Sequence, residues 1–108
     1  MKTVEQMREE KKVQMQVMTD SIQTMIRIMN PKKRWKIEYY RMSDNVKHTL
    51  MSYGMMTDWD VERFKLRNNE EYIMIWDSDY HMLYTIDVTA ESALYAGQHL
   101  MELLVEKF

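Results

Sequence analysis

The chain has 108 residues, 45% of them apolar and 30% charged, with a formal net charge of -2 and no cysteine. That balance describes one folded unit and is too apolar for a disordered chain, so residues 1–108 are expected to form a single α+β domain. Without cysteine there is no disulfide, no thiolate nucleophile and no cysteine zinc site, and no apolar run reaches the roughly 18 residues that a membrane helix needs.

Residues 1–30 hold no glycine or proline and are rich in Met, Gln, Glu, Lys and Arg, all good helix formers, so a long N-terminal helix is expected. From Met15 the apolar residues Met15, Met18, Ile22, Met25 and Met29 fall three and four apart and form one stripe. The stripe can be buried in two ways: against a sheet, or, with the helix projecting, against its copy in a homodimer. Before Met15 the pattern thins to Val4, Met7 and Val13 among charges, which predicts an exposed, fraying start. Asn30-Pro31 ends the helix.

Alternation of Trp35, Ile37 and Tyr39 with Lys36, Glu38 and Tyr40 predicts a strand over 34–42. A second strand is expected over 46–53, where Leu50, Met51, Met55 and Met56 also suit a short helix. Residues 61–67 alternate again and, with Asn68-Asn69-Glu70 as a turn, read as a hairpin into 72–76. Asp77-Ser78-Asp79 turns the chain into 81–88. Thr89 is the expected N-cap of a last helix over about 90–107. The expected architecture is thus an antiparallel sheet of three to four strands with one apolar face, covered by the first and last helices.

Enzyme motifs are missing. Phosphate-cradling loops need several glycines, whereas Gly54 and Gly97 stand alone, and no Gly-x-Ser-x-Gly elbow occurs. Asp77, Asp79 and His81 alternate and could face one side as metal ligands, but Asp-Ser-Asp is also ordinary turn chemistry, and no metal is assigned. His99 and Glu102 stand one helical turn apart, as a surface pair does. No catalytic residue and no cofactor is expected.

Charge is unevenly divided, with ten Lys/Arg against five Asp/Glu in residues 1–42 and five against twelve in 43–108. Lys32, Lys33, Arg34 and Lys36 with Trp35 form a basic loop able to contact phosphates and stack a base. The acidic counterpart, with aromatics among it, comprises Asp58, Trp59, Asp60, Glu70, Glu71, Asp77, Asp79 and Tyr80, a surface that could imitate a phosphate backbone and occupy a nucleic-acid groove.

The expected function is a small non-enzymatic protein-binding module that inhibits a nucleic-acid-handling protein such as a nuclease. In build the chain resembles small phage or mobile-element proteins that block host defence nucleases, such as anti-CRISPR proteins; these share no common signature, so no residue is carried over. The alternatives are a nucleic-acid-binding regulator using the basic loop, or a dimeric structural subunit. The charged first residues lack the apolar stretch of a secretory signal, and a cytoplasmic location is expected, the host cytoplasm if phage-encoded.

Overall fold

The computed structural model describes residues 1–107, which form α1 (Val4–Met29), β1 (Lys36–Arg41), α2 (Asp44–Ser52), α3 (Asp58–Arg63), β2 (Glu71–Trp76), β3 (Met82–Asp87) and α4 (Ala93–Lys107). Helix α1 starts at a capping box: the Thr3 side chain accepts the Gln6 N–H while the Gln6 side chain accepts the Thr3 N–H. Asn30 closes it ahead of Pro31.

The sheet has three strands in the order β1-β2-β3, all antiparallel, with Tyr39 opposite Ile73 and Ile73 opposite Ile86. The two further strands expected from the sequence are corrected to helices. Over 46–53 the Ser43 hydroxyl accepts the Val46 N–H at 3.1 Å and starts α2, whose Val46 and Leu50 face the core one turn apart. The segment 61–67 is replaced by α3 and a turn at Lys65, whose φ is 52°; Thr57 and Asp60 form a second capping box that fixes helical geometry before the alternation can matter. The last helix begins at Ala93, later than expected. Ser92 accepts the Tyr95 N–H with its hydroxyl and the Ala96 N–H with its carbonyl, whereas the Thr89 hydroxyl accepts the Glu71 N–H across the sheet.

All six residues of β2 are buried, because helices cover both faces of the sheet. Ile73 and Ile75 point to the face covered by α1 and α4, together with Met15, Ile26, Ile37, Leu100 and Leu104. Tyr72, Met74 and Trp76 point to the opposite face, where Met42, Leu50, Met56, Leu66 and Met82 close the second core. Each such apolar side chain contributes about 1.5–3 kcal/mol through burial. The Trp76 indole N–H donates to Met55 O at 2.7 Å, so its polar atom is satisfied within that core.

Helices α1 and α4 lie side by side and run the same way. Lys11 reaches the Val88 and Thr89 carbonyls ahead of α4, Met18 packs on Gly97, and Lys33 reaches Lys107 O at the far end. Of the predicted stripe, Met15 is fully buried and Met18 and Ile22 pack beside it, while Met25 and Met29 remain exposed. The turns before Met15 are exposed as expected, and Lys11 alone among residues 1–14 is partly buried, where it reaches the Val88 and Thr89 carbonyls and Glu71.

Candidate functional site

The antiparallel register gathers one end of the sheet from several parts of the chain. Lys36 opens β1 opposite Trp76, the last residue of β2, so the basic loop that follows α1 stands beside the turn 77–81 that joins β2 to β3. The Lys36 ammonium lies 5.5 Å from the Tyr80 ring centre. The bond from Trp76 to Met55 brings the chain leading into α3 to the same end, with Asp58 and Trp59 at its start. The structure thus places Asp77, Asp79 and Tyr80 beside the basic loop, while Asp58 and Trp59 follow from Met55 on the face of the sheet that α2 and α3 cover.

These groups differ in availability. Trp59 is 66% exposed and Tyr80 46%, and Asp58 and Asp79 are exposed. Tyr80 holds a left-handed φ of 61°, part of the tight turn. Asp77 is occupied by that turn: one carboxylate oxygen accepts the Asp79 and His81 N–H groups, both at 2.9 Å, and the other lies 3.3 Å from His81 Nδ1. Ligand atoms of Asp77, Asp79 and His81 lie within 4.8 Å of one another, but the amides already satisfy Asp77 and the geometry is that of an aspartate turn.

In the basic loop, Lys33 donates to Lys107 O at 2.9 Å and sits 4.8 Å from the centre of the Trp35 ring. Trp35 is half-buried, tilted against Tyr84 at 6.2 Å, and Lys36 lies 3.4 Å from a Glu38 carboxylate oxygen. Lys32 and Arg34 are exposed. Exposed charge at this end therefore carries both signs.

Three residues of the predicted acidic surface serve the fold. Asp60 is buried in its capping box and paired with Arg63 at 3.0 Å. Glu70 and Glu71 lie at the opposite end of β2, where Glu70 accepts the Tyr72 hydroxyl at 2.8 Å. Glu71 is buried, accepts the Tyr39 hydroxyl and lies 3.0 Å from Lys11.

The Lys11, Tyr39 and Glu71 cluster escaped the sequence reading; its only signals are a carboxylate directly before an apolar strand and one lysine in a charged helical turn. It lines a concave surface of about 900 Å³ between the first turns of α1 and the end of β1. The Lys11 ammonium donates to Val88 O and Thr89 O and lies 3.0 Å from Glu71 Oε1. Burial first, then the bond to Glu71, raise the Tyr39 pKa well above that of free tyrosine, and burial and Glu38 do the same for Tyr40. The protonated Tyr39 bound to Glu71, and Lys11 bonded to the Val88 and Thr89 carbonyls, together tie α1 to the sheet.

No protein-family model matches the sequence, and no curated protein or solved structure is significantly similar to it.

Proposed function

We propose that the protein is a non-enzymatic protein-binding module that acts on a nucleic-acid-handling partner such as a nuclease, an anti-defence inhibitor of the anti-CRISPR type. The observation that supports this reading is the pairing of exposed aromatics and carboxylates, Tyr80 with Asp79 at one end of the sheet and Trp59 with Asp58 at the start of α3. Solvent-facing tryptophan and tyrosine supply large contact area at low entropic cost, and flanking carboxylates can meet a groove evolved for phosphates. The buried carboxylates Asp60 and Glu71 and the partly buried Lys11 are engaged in bonds that hold helices in place, which further favours binding over catalysis.

The test is capture of host defence nucleases on the purified protein, followed by a cleavage assay. Binding with inhibition, weakened at least about tenfold by Trp59→Ala, is expected, since a central aromatic anchor is worth about 2 kcal/mol or more. A wild-type protein that captures no such nuclease and leaves cleavage unchanged overturns the reading. Exposure of Lys32 and Arg34 at the same end favours nucleic-acid binding as the second reading. That reading requires a gel shift that weakens steeply with salt and with Arg34→Glu.

A further inference from the structure

The side of the α1 and α4 layer that is turned away from the sheet is poor in charge. Between Val13 and Ile28, helix α1 holds two charged residues, Asp20 and Arg27, and both fall with Gln16 and Gln23 on one stripe of positions three and four apart. That stripe flanks β1, where Gln23 Oε1 accepts the Ile37 N–H at 2.6 Å. Opposite the buried Met15, Thr19 and Ile26, the outward side of α1 carries Val13, Val17 and Ile28, with Met25 toward α4. On α4, Glu102 and Glu106 line a concave surface against β3, whereas Leu94, Met101 and Val105 share a stripe with Gly97, the residue that meets Met18 of α1.

The outward apolar side chains are therefore neighbours across the seam between the two helices. Val13, Val17, Met25, Ile28, Leu94 and Val105 are each between a third and three-quarters exposed, on a strip about 24 Å long. A fully exposed aliphatic side chain presents roughly 100 Å² or more, so the six offer roughly 400–600 Å² of apolar surface. That is the top of the range for the largest patch on a monomer. With Ser21, Thr24 and Gln98 among them, the face approaches the roughly 800 Å² per partner that a stable dimer buries. Ser21 stands midway along the strip, and its hydroxyl already donates to Val17 O at 2.8 Å, so covering it strands no polar hydrogen.

We propose that this face pairs with itself in a two-fold dimer, in which α1 crosses the α1 of a second copy antiparallel at Ser21. An apolar face without charge finds its match in its own copy, and the contact buries no unpaired ion. The small Ser21 side chain lets the two helices approach; Val17 then meets Met25 of the copy, and Val13 lies beside its Ile28. Charge decides the direction. Because α1 and α4 run the same way, a parallel pair would align four helix dipoles and set the exposed Lys32 and Arg34 of both copies side by side. The antiparallel pair opposes the dipoles and sends the two basic loops to opposite ends. The contact leaves the α2 and α3 side of the sheet, with Trp59, open in both copies.

Light scattering and equilibrium sedimentation of the full chain test this. The mass should rise with concentration from the 13.3 kDa monomer and stop at twice that value, with little change between about 20 mM and 1 M salt, since screening acts on charges and this contact has none. Val17→Glu with Ile28→Glu puts four carboxylates into the contact and should weaken association at least about a hundredfold. Both side chains face solvent in the monomer, so its circular dichroism and urea slope should match the wild type. The crossing point is read in a chain that has no cysteine of its own: Ser21→Cys should oxidise readily to a linked dimer, and Asp20→Cys, on the β1 flank, should link at least about tenfold more slowly. A monomer at millimolar concentration, assembly beyond the dimer, a Val17→Glu, Ile28→Glu variant that dimerises like the wild type, or Asp20→Cys linking as fast as Ser21→Cys overturns the proposal. A chain that stays monomeric while this face captures a different protein overturns it as well.

Discussion

The two faces of the sheet solve the same burial problem with different materials. Against α1 and α4 the core is mainly aliphatic, with Ile26, Ile37, Ile73, Ile75, Val88, Leu100 and Leu104 packed around Met15 and Tyr39 between two long helices and the strands. Against α2, α3 and their connections it holds four methionines, Met42, Met56, Met74 and Met82, around Tyr72 and Trp76. Short helices and turns leave an irregular ceiling, and unbranched thioether chains with three rotatable bonds fill it where branched side chains cannot. Regular covers permit rigid packing; irregular ones call for pliable side chains.

The largest expected effects break this comparison directly. Leu100→Ala should cost about 4–5 kcal/mol and Met74→Ala about 2–3, because the same kind of truncation leaves a persistent cavity under long helices but is partly refilled by neighbouring methionines. Urea unfolding with unchanged slope measures both. Equal losses would show that the methionine face is as rigid as the aliphatic one. Met74→Leu, which conserves volume, should stay below about 1.5 kcal/mol.

Next in size is the tie between α1 and the end of the sheet. Lys11→Met leaves Glu71 without its cation and removes the donor to the Val88 and Thr89 carbonyls, at a cost of about 1–3 kcal/mol for this partly exposed pair. Hydrogen exchange should quicken for amides before Met15 and leave those of residues 18–26 protected. Uniform acceleration along α1 would mean that the helix frays or holds as one piece.

These two regions also show what the sequence makes legible. The face under α1 and α4 is built from long periodic elements, so α1, β1, β2, β3 and α4 could all be read from spacing. The methionine face could not. At 46–53 and 61–67 the apolar residues fit both periods over so few positions that a single side-chain bond decides, Ser43 to Val46 in one case and Thr57 to Asp60 in the other. The acidic surface divided for a related reason. Asp77 and Asp79 lie in a turn as the local chemistry implied and Asp58 opens α3, whereas Glu71 meets a partner that no local pattern announces: Lys11 lies 60 positions before it and is joined to it by folding alone.

Alkaline pH sharpens the contrast at β1, whose Tyr39 and Tyr40 point to opposite faces. Both hold their protons above the ordinary tyrosine value of 10.0, through burial first and then through Glu71 and Glu38. The unfolded chain releases these protons near pH 10 while the folded chain keeps them, so the native state binds more protons above that point. The stabilisation is complete below about pH 10 and is lost as pH rises beyond it. Melting temperatures between about pH 8 and 11.5 should fall at the alkaline end, and Tyr39→Phe with Tyr40→Phe should flatten that fall. An unaltered profile in the double variant would assign the alkaline loss to other groups.

The smallest effect concerns the seam between the two long helices. Gly97 lies buried within α4, and a Cβ built there would sit 3.2 Å from Met18 Cγ. Replacing a mid-helix glycine by alanine stabilises by up to about 1 kcal/mol through backbone entropy, and the contact opposes this. Met18 is only half-buried and unbranched, so it can swing aside by the few tenths of an ångström required without disturbing the backbone of α1. Gly97→Ala is therefore expected to raise stability by less than about 1 kcal/mol. Had an isoleucine stood at position 18 the sign would reverse, so Gly97→Ala with Met18→Ile should fall below the wild type, and the gap between the two variants measures how much pliability one methionine lends to the otherwise rigid face.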